Sequence, residues 1–422
     1  MQASVKGFMD QQAGSGALFE DIYLIDGKRT PFGKYTGSLS TVSPTDLGIL
    51  ASRAAIEAAG VAAEDIDQTI VANIGQASAD CFFLPRHIGL YSGTRLESTA
   101  LLTQRICGSG MELLGQAAEQ IALSKARLVL GCGTDVMSRF PLASYSARQG
   151  FPLGRPEFVD LLWEALNDTA AVPMGCTSDN LARHYNLSRA AVDAYAMRSQ
   201  ERYASALAAG FFNGEIVPVA AQGVLEMGEY NPRKYRLNSR EDCGADEHPR
   251  QTSLEKLANL PCVFSTEGPT TAGNASGIVD GAAALLVASG DYVRTHGLKP
   301  LGKIRGFAAT GVRPDIMGIG PAPAIRLLLK QAQLKVADID RFEINEAFSA
   351  QCLAVAQELK LDEDKLNVNG GAIAIGHPLG ATGVRLTLTC LKTLHRDRKQ
   401  LGIASACIGG GQGIALLMEA CA

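Results

Sequence analysis

Four short segments hold residues whose types and spacing can do chemistry. Cys107 stands in Ile106-Cys107-Gly108-Ser109-Gly110, directly before a helix-like stretch. A thiol at a helix N-terminus meets the positive end of the macrodipole and unpaired N–H groups, and both favour the thiolate. The glycines beside it let a substrate carbonyl come close to the backbone. The plain alternative is a small buried core cysteine. His377 lies in Gly376-His377-Pro378-Leu379-Gly380. Pro378 suits the first helical position, which puts His377 at the cap. A histidine there can take a proton from a thiol facing it. The alternative is a hydrogen-bonded structural histidine. Cys407 precedes Ile408-Gly409-Gly410-Gly411. A strand running into three glycines sets bare N–H groups beside a thiol, which suits an oxyanion hole, although a tight turn with an incidental cysteine has the same pattern. Asn345-Glu346-Ala347-Phe348 closes a strand, where α/β sheets place functional groups. An Asn/Glu pair that only caps the next helix is the alternative.

These segments need a scaffold, and strand-like and helix-like patterns alternate from Asp21 onward. Ile22–Ile25, Thr69–Ile74, Thr99–Leu102 and Arg127–Leu130 are predicted strands. Residues 46–60 read as an Ala-rich helix ending at Gly60. In residues 111–124, Met111, Leu114, Ala118 and Ile121 share a helical face. This alternation predicts an α/β fold with a mainly parallel sheet. The order recurs: Val61-Ala62-Ala63-Glu64-Asp65-Ile66-Asp67 precedes one strand, and Val336-Ala337-Asp338-Ile339-Asp340 precedes another at Phe342–Ile344. Cys107 follows Asp67 by 40 residues, and His377 follows Asp340 by 37. Two copies about 270 residues apart indicate a duplicated domain, not a solenoid. Such a duplication would let His377 face Cys107 across the duplication axis. Residues 139–278 break the pattern with Pro and Gly punctuation (Phe151-Pro152-Leu153-Gly154-Arg155-Pro156), an amphipathic helix near 189–209 and a charged, turn-rich stretch from Glu229 to Arg250. They read as an inserted lid.

Composition excludes other classes. With 46% apolar and 19% charged residues in 422, the chain can bury sizeable cores. A formal charge of −4 disfavours a nucleic-acid binder with a dominant basic field. Ten cysteines without C-x-x-C spacing fit reduced thiols in a cytoplasmic compartment, not a disulfide scaffold, and no metal site is expected. The first twenty residues lack the apolar core of a signal peptide, and no run of eighteen apolar residues predicts a membrane span. Forty-five glycines, without a collagen-like period, point to backbone approaching something closely.

With Arg29-Thr30-Pro31-Phe32-Gly33 and Thr271-Ala272-Gly273-Asn274-Ala275-Ser276-Gly277, the four segments resemble the thiolase family in order and spacing, from about residue 20 to the end. The resemblance implies duplicated βαβαβαββ domains in a layered αβαβα core: residues 1–138 with 279–299, a lid at 139–278, and 300–422. It implies an acyltransferase of fatty-acid metabolism and β-oxidation that either cleaves 3-oxoacyl-CoA with coenzyme A or condenses two acetyl-CoA. Cys107 matches the nucleophile, His377 its base and Cys407 the acid/base for the α-proton. His377 with a water held by Asn345 matches one oxyanion site, and the N–H groups of Cys107 and Gly409 the other. A Cβ at 409 or 410 would crowd the thioester. Ser276, Ala275, Gly277, Phe348, Met174 and Leu166 would line the coenzyme A arm, with Arg250 at its phosphates. No cofactor is implied, since coenzyme A is a substrate. The expected partners are acyl-CoA, coenzyme A and further copies in a homodimer or homotetramer, with neither nucleic acid nor membrane. Pro173 stands where acetoacetyl-CoA-specific members have histidine, and Lys256 where some biosynthetic members have serine. A β-ketoacyl synthase and a non-catalytic acyl-CoA carrier are the rival assignments; Cys407 argues against the first, and the full residue set against the second.

Overall fold

The computed structural model describes residues 3–151, 153–154 and 156–421. Pro152 and Arg155, part of the expected loop punctuation, lie outside the described residues. Local signals set most elements where the spacing predicts them. The helix Pro44–Ala59 starts at Ser43, whose side chain accepts from the Asp46 N–H, and stops at Gly60, left-handed at φ 65°. The helix Ser109–Ala122 buries Met111, Leu114, Ala118 and Ile121.

The large sheet has twelve strands. Its main path runs Arg341–Ile344, Leu401–Ile408, Gln412–Ala420, Gly302–Gly311, Ile22–Arg29, Val279–Ser289, Leu128–Val136, Gln68–Ala72 and Thr99–Thr103. The expected mainly parallel sheet is corrected to a mixed one. Gln68–Ala72 is parallel to both its neighbours and Arg341–Ile344 to Leu401–Ile408, but the other pairings in this sheet are antiparallel. The reason lies in the connections: a short turn joins Leu401–Ile408 to Gln412–Ala420, and residues 137–278 bring the chain back beside Leu128–Val136 in the opposite direction, so each copy ends on an antiparallel pair.

The duplication is visible element by element. Short 3₁₀ turns at Ala63–Asp65 and Val336–Asp338 precede Gln68–Ala72 and Arg341–Ile344. The first copy keeps a third parallel strand, Thr99–Thr103. In the second that strand is reduced to one parallel bridge, Phe342 to Leu366. Three apolar cores define five layers. One joins the helix Pro44–Ala59 to the first copy's strands, and another joins the helices Pro321–Ala332 and Ser349–Leu359 to the second's. The largest holds the helices Ser109–Ala122 and Leu379–Asp397 between them.

Residues 137–278 leave between Leu128–Val136 and Val279–Ser289, which are antiparallel neighbours, so the excursion costs the sheet no continuity. It contains the expected helix at Arg189–Ala208. The charged stretch from Glu229 holds a strand, Arg233–Arg236, paired with Gln222–Leu225. One element was not foreseen. Ser4–Asp10 and Gly14–Glu20 form a hairpin whose second strand pairs with Gly306–Ala309. Among the described residues no helix is long and apolar enough to cross a membrane.

Candidate active site

Cys107 lies in the turn that opens the helix Ser109–Ala122. The Ser109 hydroxyl closes that turn, accepting from the Arg105 N–H at 2.6 Å and donating to the Ile106 carbonyl at 2.7 Å. Ile106 is held at φ 44°, unusual for a β-branched residue. The sulfur is buried against Met137, Leu162 and Leu379. The helix-terminus argument predicts a low thiol pKa, and here the structure corrects it. Burial pushes Cys107 up to about 11, outweighing the Gly409 N–H and its own N–H, which both favour the thiolate.

His377 comes from the other copy. Pro378, not His377, is the N-cap of Leu379–Asp397, so the histidine stands one residue outside the helix. The Thr382 hydroxyl donates to the Pro378 carbonyl at 2.9 Å and therefore accepts from His377 Nδ1–H at 2.6 Å. That leaves Nε2 free of a proton, facing the Asn345 amide nitrogen at 3.2 Å. Burial, with Arg385 adding to it, pushes His377 down to about 3, so the ring is a neutral acceptor. Thr382 was missed by sequence reasoning; its signal is a hydroxyl one turn into the helix after His377. Thr382→Val is expected to slow acyl-enzyme formation about 10-fold, the worth of one buried hydrogen bond, while Thr382→Ser keeps the rate. Single-turnover kinetics check this, and an unchanged Val variant would show that the hydroxyl does not hold the tautomer.

Asn345 is buried, and its Oδ1 has no protein partner, as suits an atom that receives a hydrogen bond from outside the protein. Cys407 is buried against Met317 and Ala347, with Met174 and Phe348 alongside. Its thiol is pushed up, first by burial and then by the charge of Cys107 beside it. A Cβ on Gly409 would run into Met174 Cε. A Cβ on Gly410 would meet no protein atom within 4 Å, and glycine there also answers to a left-handed φ of 84°.

A cavity of about 400 Å³ leads to these groups. Leu166, Met174, Ala275, Ser276, Gly277 and Phe348 line it, with His377 at its wall. Behind that wall, Leu379, Met137 and Leu166 pack on Cys107 from one side. Met174 and Phe348 pack on Cys407 from the other. Arg250 is the one predicted residue set apart. It lies in an adjoining cleft of about 500 Å³ with Lys34 and His248, across a wall shared at Ala275–Ile278. Trp163, Phe264 and Cys176 line the main cavity too. They belong to the lid, where no periodic pattern marks them.

A buried thiol under a backbone N–H, a neutral imidazole of fixed tautomer and a second protonated thiol at an apolar cavity can transfer acyl groups and move a proton beside a carbonyl. Residues 22–291 match the thiolase N-terminal domain, and residues 298–420 the thiolase C-terminal domain. The chain belongs to the thiolase family. It is accordingly an acyltransferase with thiolase activity. It is 44% identical to mouse mitochondrial 3-ketoacyl-CoA thiolase over 96% of this chain and 99% of that one. It is 38% identical to the beta-ketothiolase BktB of Cupriavidus necator, over 95% of this chain and all of that one. A solved structure of human mitochondrial 3-ketoacyl-CoA thiolase in complex with CoA superposes with a TM-score of 0.89 at 42% identity, covering 95% of this thiolase and 98% of that chain.

Proposed function

We propose that this thiolase cleaves 3-oxoacyl-CoA thioesters with coenzyme A and runs the reverse condensation at the same site. His377 Nε2 takes the Cys107 proton as the sulfur attacks the ketone carbon. The tetrahedral oxyanion forms against the N–H groups of Cys107 and Gly409. Collapse breaks the bond between Cα and the ketone carbon. The leaving acetyl-CoA enolate is held by His377 with an Asn345-bound water, and Cys407 protonates it. The thiol of a second coenzyme A then gives its proton to the Cys407 thiolate and attacks the acyl-Cys107 carbonyl; the Cys107 sulfur leaves, takes its proton back from His377, and the shortened acyl-CoA is released. One observation carries this assignment. The two copies each supply half of the pair, with the Gly409 N–H on the Cys107 sulfur and His377 Nε2 left unprotonated as an acceptor beside the Asn345 amide.

Ser276, Ala275, Gly277, Met174, Phe348 and Leu166 are assigned to the coenzyme A arm and Arg250 to its phosphates, in keeping with the two adjoining hollows. The apolar character of the cavity and Pro173 in its lining favour acyl chains longer than acetoacetyl. The mouse and human mitochondrial 3-ketoacyl-CoA thiolases among its relatives are in keeping with this. The test is coenzyme A-dependent cleavage of 3-oxoacyl-CoA substrates from four to twelve carbons. We expect kcat/KM to be higher at six carbons and beyond than at four. No cleavage at any length would favour the acyl-CoA carrier, and a requirement for a malonyl thioester the synthase.

The reading divides the chain into 1–138 with 279–299, a lid at 139–278, and 300–422; the strand order supports it. It also takes the chain as a homodimer or homotetramer. Thr99–Thr103 ends the main strand path with no strand on its outer side among the described residues, and Leu101, Phe82 and Phe83 are exposed nearby in sequence. A solution mass of one chain would contradict that. A cytoplasmic location rests on the unpaired thiols; cell fractionation finding it in an organelle would remove it.

A further inference from the structure

Asp135 is the carboxylate at which the two copies meet. It is the penultimate residue of the strand Leu128–Val136 and is fully buried. One oxygen, Oδ1, accepts from Asn73 Nδ2 at 3.0 Å, the Ile74 N–H at 3.0 Å and the Gly75 N–H at 3.1 Å, all in the first copy. The other, Oδ2, accepts from the Gly380 N–H at 2.7 Å, in the second copy. Gly380 is three residues beyond His377 and opens the helix Leu379–Asp397, whose N-terminus favours a negative charge. All four neighbours donate and so favour the ionised carboxylate, but burial outweighs them and, with Asp280 adding to it, pushes Asp135 up to about 7.

Each arm of this junction touches the wall around Cys107. Ile74 and Leu379, neighbours of the bonded groups, pack in the same small cluster as Cys107, as does Met137, two residues beyond Asp135. Close backbone approach makes the junction stiff. A Cβ on Gly133 would run into the Gly380 carbonyl oxygen, and one on Gly110 would lie 2.7 Å from it. The helix carrying the His377 loop is thus seated on the strand carrying Asp135 without intervening side chains. Loss of the Oδ2 bond would remove the tie of the Gly380 N–H to the first copy, leaving the loop held by the His377 N–H on the Gly277 carbonyl at 3.0 Å and by the ring's own bonds to Thr382 and Asn345.

We propose that Asp135 is a positioning residue that fixes His377 against Cys107 by holding the Gly380 N–H. The proposal rests on the reading of His377 as the base for Cys107. Substrate binding is not its task, since Asp135 lines neither cavity.

The test is a double-mutant cycle of Asp135→Asn and His377→Ala on the full chain, read by single-turnover acylation from acetoacetyl-CoA. Asp135→Asn alone is expected to slow acylation about 10- to 100-fold, leaving KM for coenzyme A within about twofold. In the His377→Ala background the same change should cost less than about twofold, because there is no longer a base to position. An unaltered Asp135→Asn rate, or multiplying effects in the double variant, would overturn the proposal. A His377→Ala rate equal to the native one would instead remove the underlying reading, and the proposal with it. Should the Asn variant not fold, Asp135→Ser removes the charge without setting an amide donor against the Gly75 and Gly380 N–H groups, and it carries the same expectations.

Discussion

Cys107→Ala should form no acyl-enzyme and lose turnover by on the order of 10⁶-fold, the scale seen when the nucleophile of another acyl-transfer enzyme is removed. The fold should survive, since one sulfur leaves a small cluster of apolar neighbours. The geometry also fixes how the native rate depends on pH. Burial lifts Cys107 to about 11 and lowers His377 to about 3, so between about pH 5 and 9 the resting pair is thiol and neutral imidazole. The raised thiol pKa means thiolate grows only well above neutrality, and the lowered histidine pKa means the base is never lost by protonation in that window. Titration of this pair therefore leaves acylation level across the window, with proton transfer accompanying attack, and the fall expected on the acid side comes from Asp135, which burial pushes up to about 7. A rate climbing through a midpoint near 8 would contradict this and indicate a preformed ion pair.

Cys407→Ser should separate the two half-reactions. Acylation at Cys107 is expected to stay within about threefold of native, while condensation and exchange of the acetyl-CoA methyl protons fall about 10²–10⁴-fold, the range for a positioned acid/base. The physical reason is that burial keeps the Cys407 thiol protonated, ready to give its proton to an enolate. A serine hydroxyl there is far less acidic. Quenched-flow acylation and deuterium exchange followed by NMR measure the two steps. Loss of acylation with exchange intact would reverse the roles of the two cysteines.

How far these residues could be read in advance depends on the range of the force involved. Cys107, His377, Cys407 and Asn345 announce themselves because glycine-rich turns, a helix-opening proline and a strand end are local events. The duplication is legible for the same reason, since the turns before Gln68–Ala72 and Arg341–Ile344 repeat a short pattern. The protonation state of Cys107 is not local. The helix N-terminus argument is correct as to sign, yet burial by Met137, Leu162 and Leu379 outweighs it, and those residues come from distant parts of the chain. Asp135 escapes notice because its partners lie 60 and 245 positions away. Thr382 is close to His377, but nothing in its type says which ring nitrogen it would meet. The antiparallel pairings were hidden too, because Val279–Ser289 and Leu128–Val136 are sequence-distant strands that become neighbours only once residues 137–278 are folded aside.

The central claim is that the acyl group rides on Cys107, at the meeting of the two copies. The most direct measurement is mass spectrometry of the native chain after brief incubation with acetoacetyl-CoA, acid quench and peptide mapping. A single 42-Da acetyl increment on the peptide containing Cys107 is expected, discharged by added coenzyme A. An increment on Cys407 or Cys352 instead, or none on any thiol during turnover, would contradict the account.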